Sequence, residues 1–398
     1  MNIVVQPRRL SGQLEIPSSK SYAHRLLIAA ALAEGPTFVS LNATNQDITA
    51  TARCLESLGA RAGFAENGID VKPISANSGN AELFCGESGS TLRFMLPVAA
   101  ALGSKCTFTG AGRLPERPNA PLVDALRAHG TAVSNDLLPM TISGRLMGGE
   151  YAIAGNISSQ YITGLLMALP LCREDSSIRL TTRLESAAYV DITLEVLKLF
   201  GIEIIRTQDG YKIPGGQRYK TPGTVAAEGD WSGAAFWALA NSLGNDVRYT
   251  GLNPASIQGD RAIEEMLGRL GGEIDVSGTP DLVPALAAAA AWHRGVTRIT
   301  GAARLRIKES DRLSAVSDML CSLGCDCEEL ADGLVIKGGR GFAGGKVEGC
   351  NDHRIVMAAA IAATVADGPV TITDSQAVNK SYPGFFDEFT RLGGLAHV

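Results

Sequence analysis

The sequence lacks two features that would place it at a membrane or on nucleic acid. No uninterrupted apolar run reaches the roughly 20 residues that a membrane span needs, and the most apolar segment, 285–292, is far shorter. Basic residues are not in excess: 36 lysines and arginines stand against 41 aspartates and glutamates, a net charge of −5. Since obligate nucleic-acid binding requires a broad basic surface, we expect neither partner, and any anion site must be a local cluster.

The sequence also shows no pattern typical of a secretory leader or of a disulfide framework. Residues 1–10 are typical of a strand rather than of a signal peptide. The eight cysteines are scattered along the chain, so we expect free thiols in a reducing cytoplasm. Cys321, Cys325 and Cys327 lie close together but lack a fourth ligand and the spacing of a zinc site. The sequence therefore predicts a cytoplasmic protein without a metal.

Glycine, in contrast, is abundant, and it marks a repeat. Six helix-like segments end in an apolar residue and a glycine, at spacings of 71, 71, 70, 53 and 69 residues. These glycines are Gly59, Gly130, Gly201, Gly271, Gly324 and Gly393. Polar starts of apolar helices form a second series with spacings of 69, 69, 73, 49 and 71. They are Ser21, Ser90, Ser159, Ser232, Asp281 and Asp352. Both series shorten together, which chance does not explain.

Each repeat is typical of a strand, an apolar helix, a strand, an amphipathic helix and a further strand. The apolar helices, such as 285–292 and 356–364, have no polar face, so we expect them to be buried. Six repeats in 398 residues suit two domains of three. We place the first domain at 16–222 and the second at 1–15 plus 223–398.

Residues suited to anion binding gather at the helix starts and in nearby loops. Backbone N–H groups at a helix start already favour an anion, and Arg117 lies on a stiff loop between two prolines. The cations are Lys20, Arg25, Arg117, Lys308, Arg312, Arg354 and Lys380. Each motif has an ordinary alternative, a solvated helix start or, for Asp281, a plain cap. Together they indicate strongly anionic ligands, and Asp281 and Glu309 beside them indicate proton transfer.

The same segments resemble the 5-enolpyruvylshikimate-3-phosphate (EPSP) synthase family, in order and over essentially the full chain. They are Ser19-Lys20-Ser21 with Arg25, Gly86 to Arg93, Glu116-Arg117-Pro118, Ser158-Ser159-Gln160, Lys308 to Arg312, Asp352-His353-Arg354, and Lys380 with Pro383. The resemblance implies the two-domain α/β enolpyruvyl transferase fold. That fold has six βαβαββ units in pseudo-threefold domains, an inside-out α/β barrel with the active site in the cleft between the domains.

The resemblance also implies an activity. The family transfers the enolpyruvyl group of phosphoenolpyruvate to the 5-hydroxyl of shikimate 3-phosphate and releases phosphate, on the shikimate pathway to chorismate and aromatic amino acids. It needs no metal or other cofactor, and it is the target of glyphosate, a mimic of phosphoenolpyruvate. We expect a monomer whose partners are these two small substrates.

Site residues follow by position. The resemblance gives Asp281 as the base on the 5-hydroxyl, and Glu309 with Lys20 as the groups that move the methylene proton. Shikimate 3-phosphate would be held by Lys20, Ser21, Arg25, Ser158, Ser159, Gln160, Ser186, Asp281 and Lys308. Phosphoenolpyruvate would be held by Lys20, Gly89, Arg117, Gln160, Arg312, Arg354 and Lys380.

Two rival functions remain beside this one. The sister enolpyruvyl transferase that acts on UDP-N-acetylglucosamine shares the fold but lacks the Lys308 to Arg312 pattern. A non-catalytic anion-binding scaffold would have no use for Asp281 and Glu309. The sequence departs from the family at Glu87, where Asn is common, at Arg304, often Asn, and at Ala188, often Pro.

Overall fold

The computed structural model describes residues 1–75 and 79–397. Its helices are α1 Lys20–Leu32, α2 Gln46–Ser57, α3 Gly89–Ala101, α4 Ala120–Ala128, α5 Ser159–Ala168, α6 Ala187–Leu199, α7 Trp231–Ser242, α8 Ile263–Leu267, α9 Val283–Trp292, α10 Arg312–Ser322, α11 His353–Ala363 and α12 Phe385–Arg391. The first eleven strands are β1 Ile3–Gln6, β2 Ser11–Glu15, β3 Thr37–Ser40, β4 Arg61–Ala65, β5 Gly68–Lys72, β6 Asn80–Phe84, β7 Lys105–Thr109, β8 Thr131–Val133, β9 Met140–Gly144, β10 Glu150–Ile153 and β11 Ser176–Leu180. The others are β12 Ile205–Arg206, β13 Gly210–Ile213, β14 Thr224–Ala226, β15 Asp246–Thr250, β16 Glu273–Asp275, β17 Gly295–Thr300, β18 Asp326–Glu329, β19 Leu334–Gly338, β20 Gly345–Val347, β21 Val370–Ile372 and β22 Leu395–His397.

The chain divides into two units, each with its own hydrophobic core. The inserted unit is Ser18–Glu228, and the split unit is Met1–Pro17 with Gly229–Val398. The chain therefore passes from one unit to the other after residues 17 and 228. The sequence placed these two boundaries after residues 15 and 222. In the described part of the chain, no helix combines the length and the apolar character needed to cross a membrane.

Three sheets of the inserted unit share one topology. Their strand orders are β6-β7-β9-β8, β10-β11-β13-β12 and β14-β3-β5-β4. In each sheet the first pair is parallel and the other two pairs are antiparallel. With their helices the strands β6 to β9 follow the order βαβαββ, and β14, last in the unit, supplies the first strand beside β3. The predicted α/β class and its repeats are confirmed, built on open sheets.

The split unit explains the short interval in the sequence repeat. Two of its sheets have four strands, β16-β17-β19-β18 and β20-β21-β1-β22, and β1 lies antiparallel between β21 and β22. The third, among the described residues, is only the parallel pair β15-β2. After α8 the chain passes directly into β16 without the hairpin that follows α2, α4, α6 and α10. The shortened repeat has therefore lost that hairpin.

Five of the six repeated glycines end helices, as their spacing predicts, whereas Gly271 lies in a turn beyond the end of α8. All six have positive φ, between 73° and 102°, the left-handed conformation in which glycine closes a helix at little cost. The apolar helices α1, α3, α5, α7, α9 and α11 are almost wholly buried. In contrast, α4 buries only Leu122, Val123 and Leu126. The prediction of buried apolar helices beside half-buried amphipathic ones is confirmed.

Candidate active site

Lys20 begins α1 and is held by a carboxylate of the next helix. Its Nζ lies 2.9 Å from Oδ2 of Asp47, in the first turn of α2. Both side chains are largely buried. Asp47 was missed by sequence reasoning, because an acid in the first turn of a helix is ordinary. Its carboxylate fixes the position of the Lys20 ammonium and accepts one of the three N–H groups of that ammonium.

Arg25 lies in a buried junction between α1, α5 and α6. Its Nε donates to Thr193 Oγ1 at 2.8 Å, and its Nη1 donates to the Ser21 carbonyl at 2.6 Å. Its Nη2 donates to the Tyr189 carbonyl at 2.9 Å and to Thr163 Oγ1 at 3.3 Å. Burial lowers the pKa of Arg25 to about 9, so the group stays cationic at neutral pH. These bonds use four of its five N–H groups, which the sequence did not indicate.

Gly89 and Arg117 are brought together at the start of α3. Ser88 caps this helix by accepting the Thr91 N–H at 3.2 Å. A Cβ added at Gly89 would lie 2.8 Å from Arg117 Nη1, closer than real Cβ contacts. The guanidinium of Arg117 therefore occupies the space beside the first N–H groups of α3, where helix geometry favours an anion.

Gln160 is fixed by groups from α3. Its Oε1 accepts from Arg93 Nη1 at 2.7 Å, and its Nε2 donates to Ser90 Oγ at 2.9 Å. Arg93 in turn donates through Nε to Asn119 Oδ1 at 3.1 Å. The sequence placed Arg93 in the glycine-turn motif but gave it no role. Here it ties the starts of α3, α4 and α5 to one another.

Three predicted serines lie at helix starts of the inserted unit. Ser158 caps α5 and accepts the Gln160 N–H at 3.3 Å, and Ser159 is the first residue of that helix. Ser186 precedes α6 with a positive φ of 52°, a conformation uncommon outside glycine. The predicted shikimate 3-phosphate residues of this unit thus belong to α1, α5 and the turn before α6.

Arg312 is the centre of the split unit's charged residues. Its Nη1 donates to Asp281 Oδ1 at 2.8 Å, and its Nη2 donates to Glu309 Oε2 at 2.5 Å. Its Nε donates to Asp352 Oδ2 at 2.8 Å. Burial opposes the charge of Arg312, but Asp352, Glu309 and Asp281 outweigh it and raise its pKa. The structure therefore brings the predicted base and the second predicted acid–base group onto one guanidinium.

Asp281 is surrounded by further cations. Arg354 Nη2 donates to its Oδ2 at 3.1 Å, and Lys308 Nζ lies 3.5 Å from its Oδ1. Burial alone would raise the pKa of Asp281, but Arg354, Lys308 and Arg312 hold it well below its usual range. Burial lowers the pKa of Lys308. Asp281 is thus ionised at neutral pH, and it is more than a helix cap.

Lys380 and the two polar departures from the family have defined contacts. Lys380 Nζ donates to the Asn351 carbonyl at 2.6 Å, in the left-handed turn that leads into α11. Arg304 Nη2 donates to the Ser277 carbonyl at 2.7 Å. The Glu87 carboxylate lies over Gly112, where a Cβ would come within 2.2 Å of its Oε2. Ala188 lies in the first turn of α6.

Asp260 is a second buried carboxylate near Asp281 that sequence reasoning missed. It accepts a hydrogen bond from Ser232 Oγ at the start of α7. Burial and the charge of Asp281 raise the pKa of Asp260 to about 6. No signal in the sequence marks it, because Gln258-Gly259-Asp260 reads as an ordinary turn. Across residues 1–75 and 79–397, no group of three or more His, Cys, Asp or Glu residues could hold a metal ion.

Comparison with known proteins gives one consistent family. The family model described as EPSP synthase (3-phosphoshikimate 1-carboxyvinyltransferase) matches residues 4–278 and 271–389. A 3-phosphoshikimate 1-carboxyvinyltransferase from Clostridium kluyveri is 41% identical, over 98% of this chain and 97% of its own length. One from Clostridium acetobutylicum is 40% identical, over 100% and 99%.

Solved structures agree in fold. EPSP synthase from Acinetobacter baumannii superposes with a TM-score of 0.82 at 25% identity, covering the whole of both chains. An enolpyruvyl transferase from Streptomyces tendae superposes with a TM-score of 0.80 at 16% identity, covering 100% of this chain and 98% of that one. The second likeness is one of fold alone. Together these confirm the predicted two-domain enolpyruvyl transferase fold.

Proposed function

This chain belongs to the EPSP synthase family, and from that premise we propose that it transfers the enolpyruvyl group of phosphoenolpyruvate to the 5-hydroxyl of shikimate 3-phosphate, releasing phosphate. The observation that carries the proposal is the pair of carboxylates on one guanidinium, Asp281 and Glu309 on Arg312. A protein that only binds anions gains nothing from carboxylates at its cations. An enzyme that moves protons beside an anion needs both.

In the proposed addition step, Glu309, assisted by Lys20, gives a proton to the methylene carbon of phosphoenolpyruvate. The neighbouring carbon becomes electron-poor and is attacked by the 5-oxygen, while Asp281 takes the hydroxyl proton. A tetrahedral intermediate results. In the elimination step the carbon–oxygen bond to phosphate breaks, the methyl group returns a proton to Glu309, and the phosphate carries away the proton that Asp281 held.

Charge around Asp281 explains how a carboxylate of low pKa serves as a base. Arg312 and Arg354 stabilise its ionised form in the unliganded protein. A bound phosphoenolpyruvate would share both guanidinium groups, so part of that stabilisation would pass to the substrate's anionic groups. We infer that the pKa of Asp281 rises when the substrate is bound, which makes it a stronger base at the moment of reaction.

Further substrate contacts are proposed within the inserted unit. We propose that Gly89, Arg117 and Gln160 contact phosphoenolpyruvate, and that Ser158, Ser159 and Ser186 hold shikimate 3-phosphate together with Ser21 and Arg25. Preformed donors at helix starts lose little entropy on binding and stabilise developing negative charge. Gln160 is already oriented by Arg93 and Ser90, which supports its role.

One assay tests the function: phosphate release from phosphoenolpyruvate with shikimate 3-phosphate or UDP-N-acetylglucosamine as the acceptor. We expect release only with shikimate 3-phosphate, and formation of the enolpyruvyl ether by mass spectrometry. Release only with the UDP-sugar would identify the sister transferase, and no release with either would leave an anion-binding protein. The described cysteines are all free, which supports a cytoplasmic enzyme, and we propose that it acts as a monomer, testable by sedimentation at assay concentration.

A further inference from the structure

A row of buried polar side chains joins three helices of the inserted unit. His24 Nδ1 of α1 lies 2.7 Å from Thr51 Oγ1 of α2, and Thr51 Oγ1 lies 2.7 Å from Thr91 Oγ1 of α3. Thr91 Oγ1 donates to Ser88 Oγ at 2.8 Å. Each of the four side chains is at most 1% exposed. No part of the proposed mechanism uses this row, although it ends one residue before Gly89.

The number of protons fixes the direction of the row. A hydroxyl has a single proton to donate. Thr91 gives its proton to Ser88, since its other acceptor, the Asp47 carbonyl, is 3.5 Å away, at the outer limit of a hydrogen bond. Thr91 must then accept from Thr51, and Thr51 must accept from His24. The proton in the first bond therefore belongs to Nδ1 of His24.

The surroundings of the other ring nitrogen agree with this direction. Among the described residues Nε2 of His24 has no hydrogen-bond partner, and the ring meets Phe94 edge to face at a centroid distance of 6.3 Å. Buried N–H groups without an acceptor are rarer in proteins than unsatisfied acceptors. Burial, Lys20 and Arg25 all lower the pKa of His24, so the imidazole is neutral and Nε2 carries no proton.

We infer that His24 is a positioning residue: as the Nδ1–H tautomer it sets the direction of the hydroxyl row, so that Ser88 keeps its own proton for an anion bound at the start of α3. Ser88 already accepts from the Thr91 N–H and from the Thr91 hydroxyl. Among the described residues its proton has no acceptor. The identity of the anion as phosphoenolpyruvate rests on the proposed function, whereas the tautomer does not.

The tautomer is tested directly by nitrogen NMR of the protein labelled with ¹⁵N-histidine. The chain has five histidines, and His24→Asn identifies the signals of His24 by their loss. We expect a protonated Nδ1 and an unprotonated Nε2, unchanged between pH 6 and pH 8. A protonated Nε2, or a doubly protonated ring, overturns the inference whether or not the enzyme is active.

Steady-state kinetics test the consequence at Ser88. Thr51→Val interrupts the row, and Ser88→Ala removes its last donor. Each substitution should raise the KM for phosphoenolpyruvate roughly tenfold, because that factor corresponds to the loss of a hydrogen bond to a charged group. The change in kcat should be smaller. The double variant should be no worse than Ser88→Ala alone, because both changes act through one proton. Thr51→Ser keeps the hydroxyl and should have the KM of the wild type.

Thr37→Val is the control, since it breaks another bond between threonine hydroxyls in the same unit, the part-buried bond of Thr37 Oγ1 to Thr221 Oγ1 at 2.8 Å. We expect its KM to equal that of the wild type. Additive effects of Thr51→Val and Ser88→Ala, or an equal effect of Thr37→Val, would contradict the positioning role. A wild-type protein that releases no phosphate would instead refute the proposed function.

Discussion

Arg312 and Asp352 form a buried bidentate ion pair in the split unit. Nε lies 2.8 Å from Oδ2 and Nη2 lies 3.2 Å from Oδ1, and neither side chain is more than 1% exposed. Asp352 also accepts from Ser310 Oγ at 3.0 Å and caps α11 by accepting the Arg354 N–H at 3.0 Å. One carboxylate thus holds the starts of α10 and α11 and turns the opposite edge of the guanidinium toward the proposed catalytic carboxylates.

Removal of this carboxylate should damage both stability and activity. Asp352→Ala leaves Arg312 buried without its main counter-charge, and losing one partner of a buried pair costs about 3–5 kcal/mol. We expect the free energy of unfolding, measured by urea denaturation, to fall by that order, and kcat/KM to fall as well. Asp326→Ala is the control, because its pair with Lys337 is exposed at 3.5 Å and should contribute less than about 1 kcal/mol. Equal losses in the two variants would refute the assigned role of Asp352.

Glu309→Gln should separate binding from chemistry. The amide keeps the shape and an acceptor for Arg312, but it cannot give or take the methylene proton. We expect kcat to fall by roughly 10²–10⁴-fold, while the dissociation constants of both substrates, measured by titration calorimetry, change little. Glu329→Gln is the control, because it also removes the charge of a carboxylate paired with an arginine, here Arg306 at 2.7 Å. It should leave kcat unchanged. A kcat for Glu309→Gln close to that of the wild type would remove Glu309 from the proton steps.

Gly89→Ala should weaken binding of phosphoenolpyruvate and of its mimic glyphosate. The new methyl group would lie 2.8 Å from Arg117 Nη1, so the guanidinium has to move away from the start of α3. We expect KM for phosphoenolpyruvate and the glyphosate inhibition constant each to rise roughly tenfold or more. Gly63→Ala adds the same methyl group in β4 of the same unit, where its nearest neighbours are 3.8 Å away, and should change neither constant. Unchanged constants in Gly89→Ala would show that Arg117 and the ligand do not share this space.

The sequence predicted the repeated architecture because its cause is local. Consecutive residues are enough to recognise a left-handed glycine after a helix, or an apolar helix without a polar face. Gly59 and Gly324 therefore mark equivalent helix ends without any tertiary information. The missing hairpin after α8 was visible only as a short interval. Its meaning required the sheets, since a two-stranded and a four-stranded sheet have similar strand patterns.

Side-chain partners across helices could not be predicted in this way. The sequence placed Arg25 beside a ligand, but Thr163, Thr193 and the Tyr189 carbonyl, more than 130 residues away, use most of its donors. Asp47 and Asp352 looked like ordinary first-turn and cap residues. Such roles depend on which helices pack together, and spacing along one helix carries no information about that.

Asp260 gives the unfolding free energy a dependence on pH that can be measured. Its pKa is raised from 3.8 to about 6, first by burial and then by Asp281. Between these values the native state binds more protons than the unfolded chain, so this group's contribution to stability is present below pH 3.8 and is lost as the pH rises through 6. Asp281, whose pKa is lowered, acts in the opposite direction: its contribution is present at neutral pH and is lost as the pH falls.

Asp260→Asn removes only the first of these effects. The amide stays neutral and can still accept from Ser232. The free energy of unfolding of the variant minus that of the wild type at the same pH should therefore be higher at pH 7 than at pH 4, by on the order of 2 kcal/mol. Urea denaturation at pH 4, 5, 6 and 7 measures the difference, and Asp124→Asn, at a side chain 70% exposed, corrects for the loss of one negative charge. Loss of Asp260 also removes a like charge near Asp281, which should make Asp281 a weaker base and shift the acid limb of the kcat profile to lower pH. A difference in stability that is the same at pH 4 and pH 7 would mean that Asp260 does not titrate in this range.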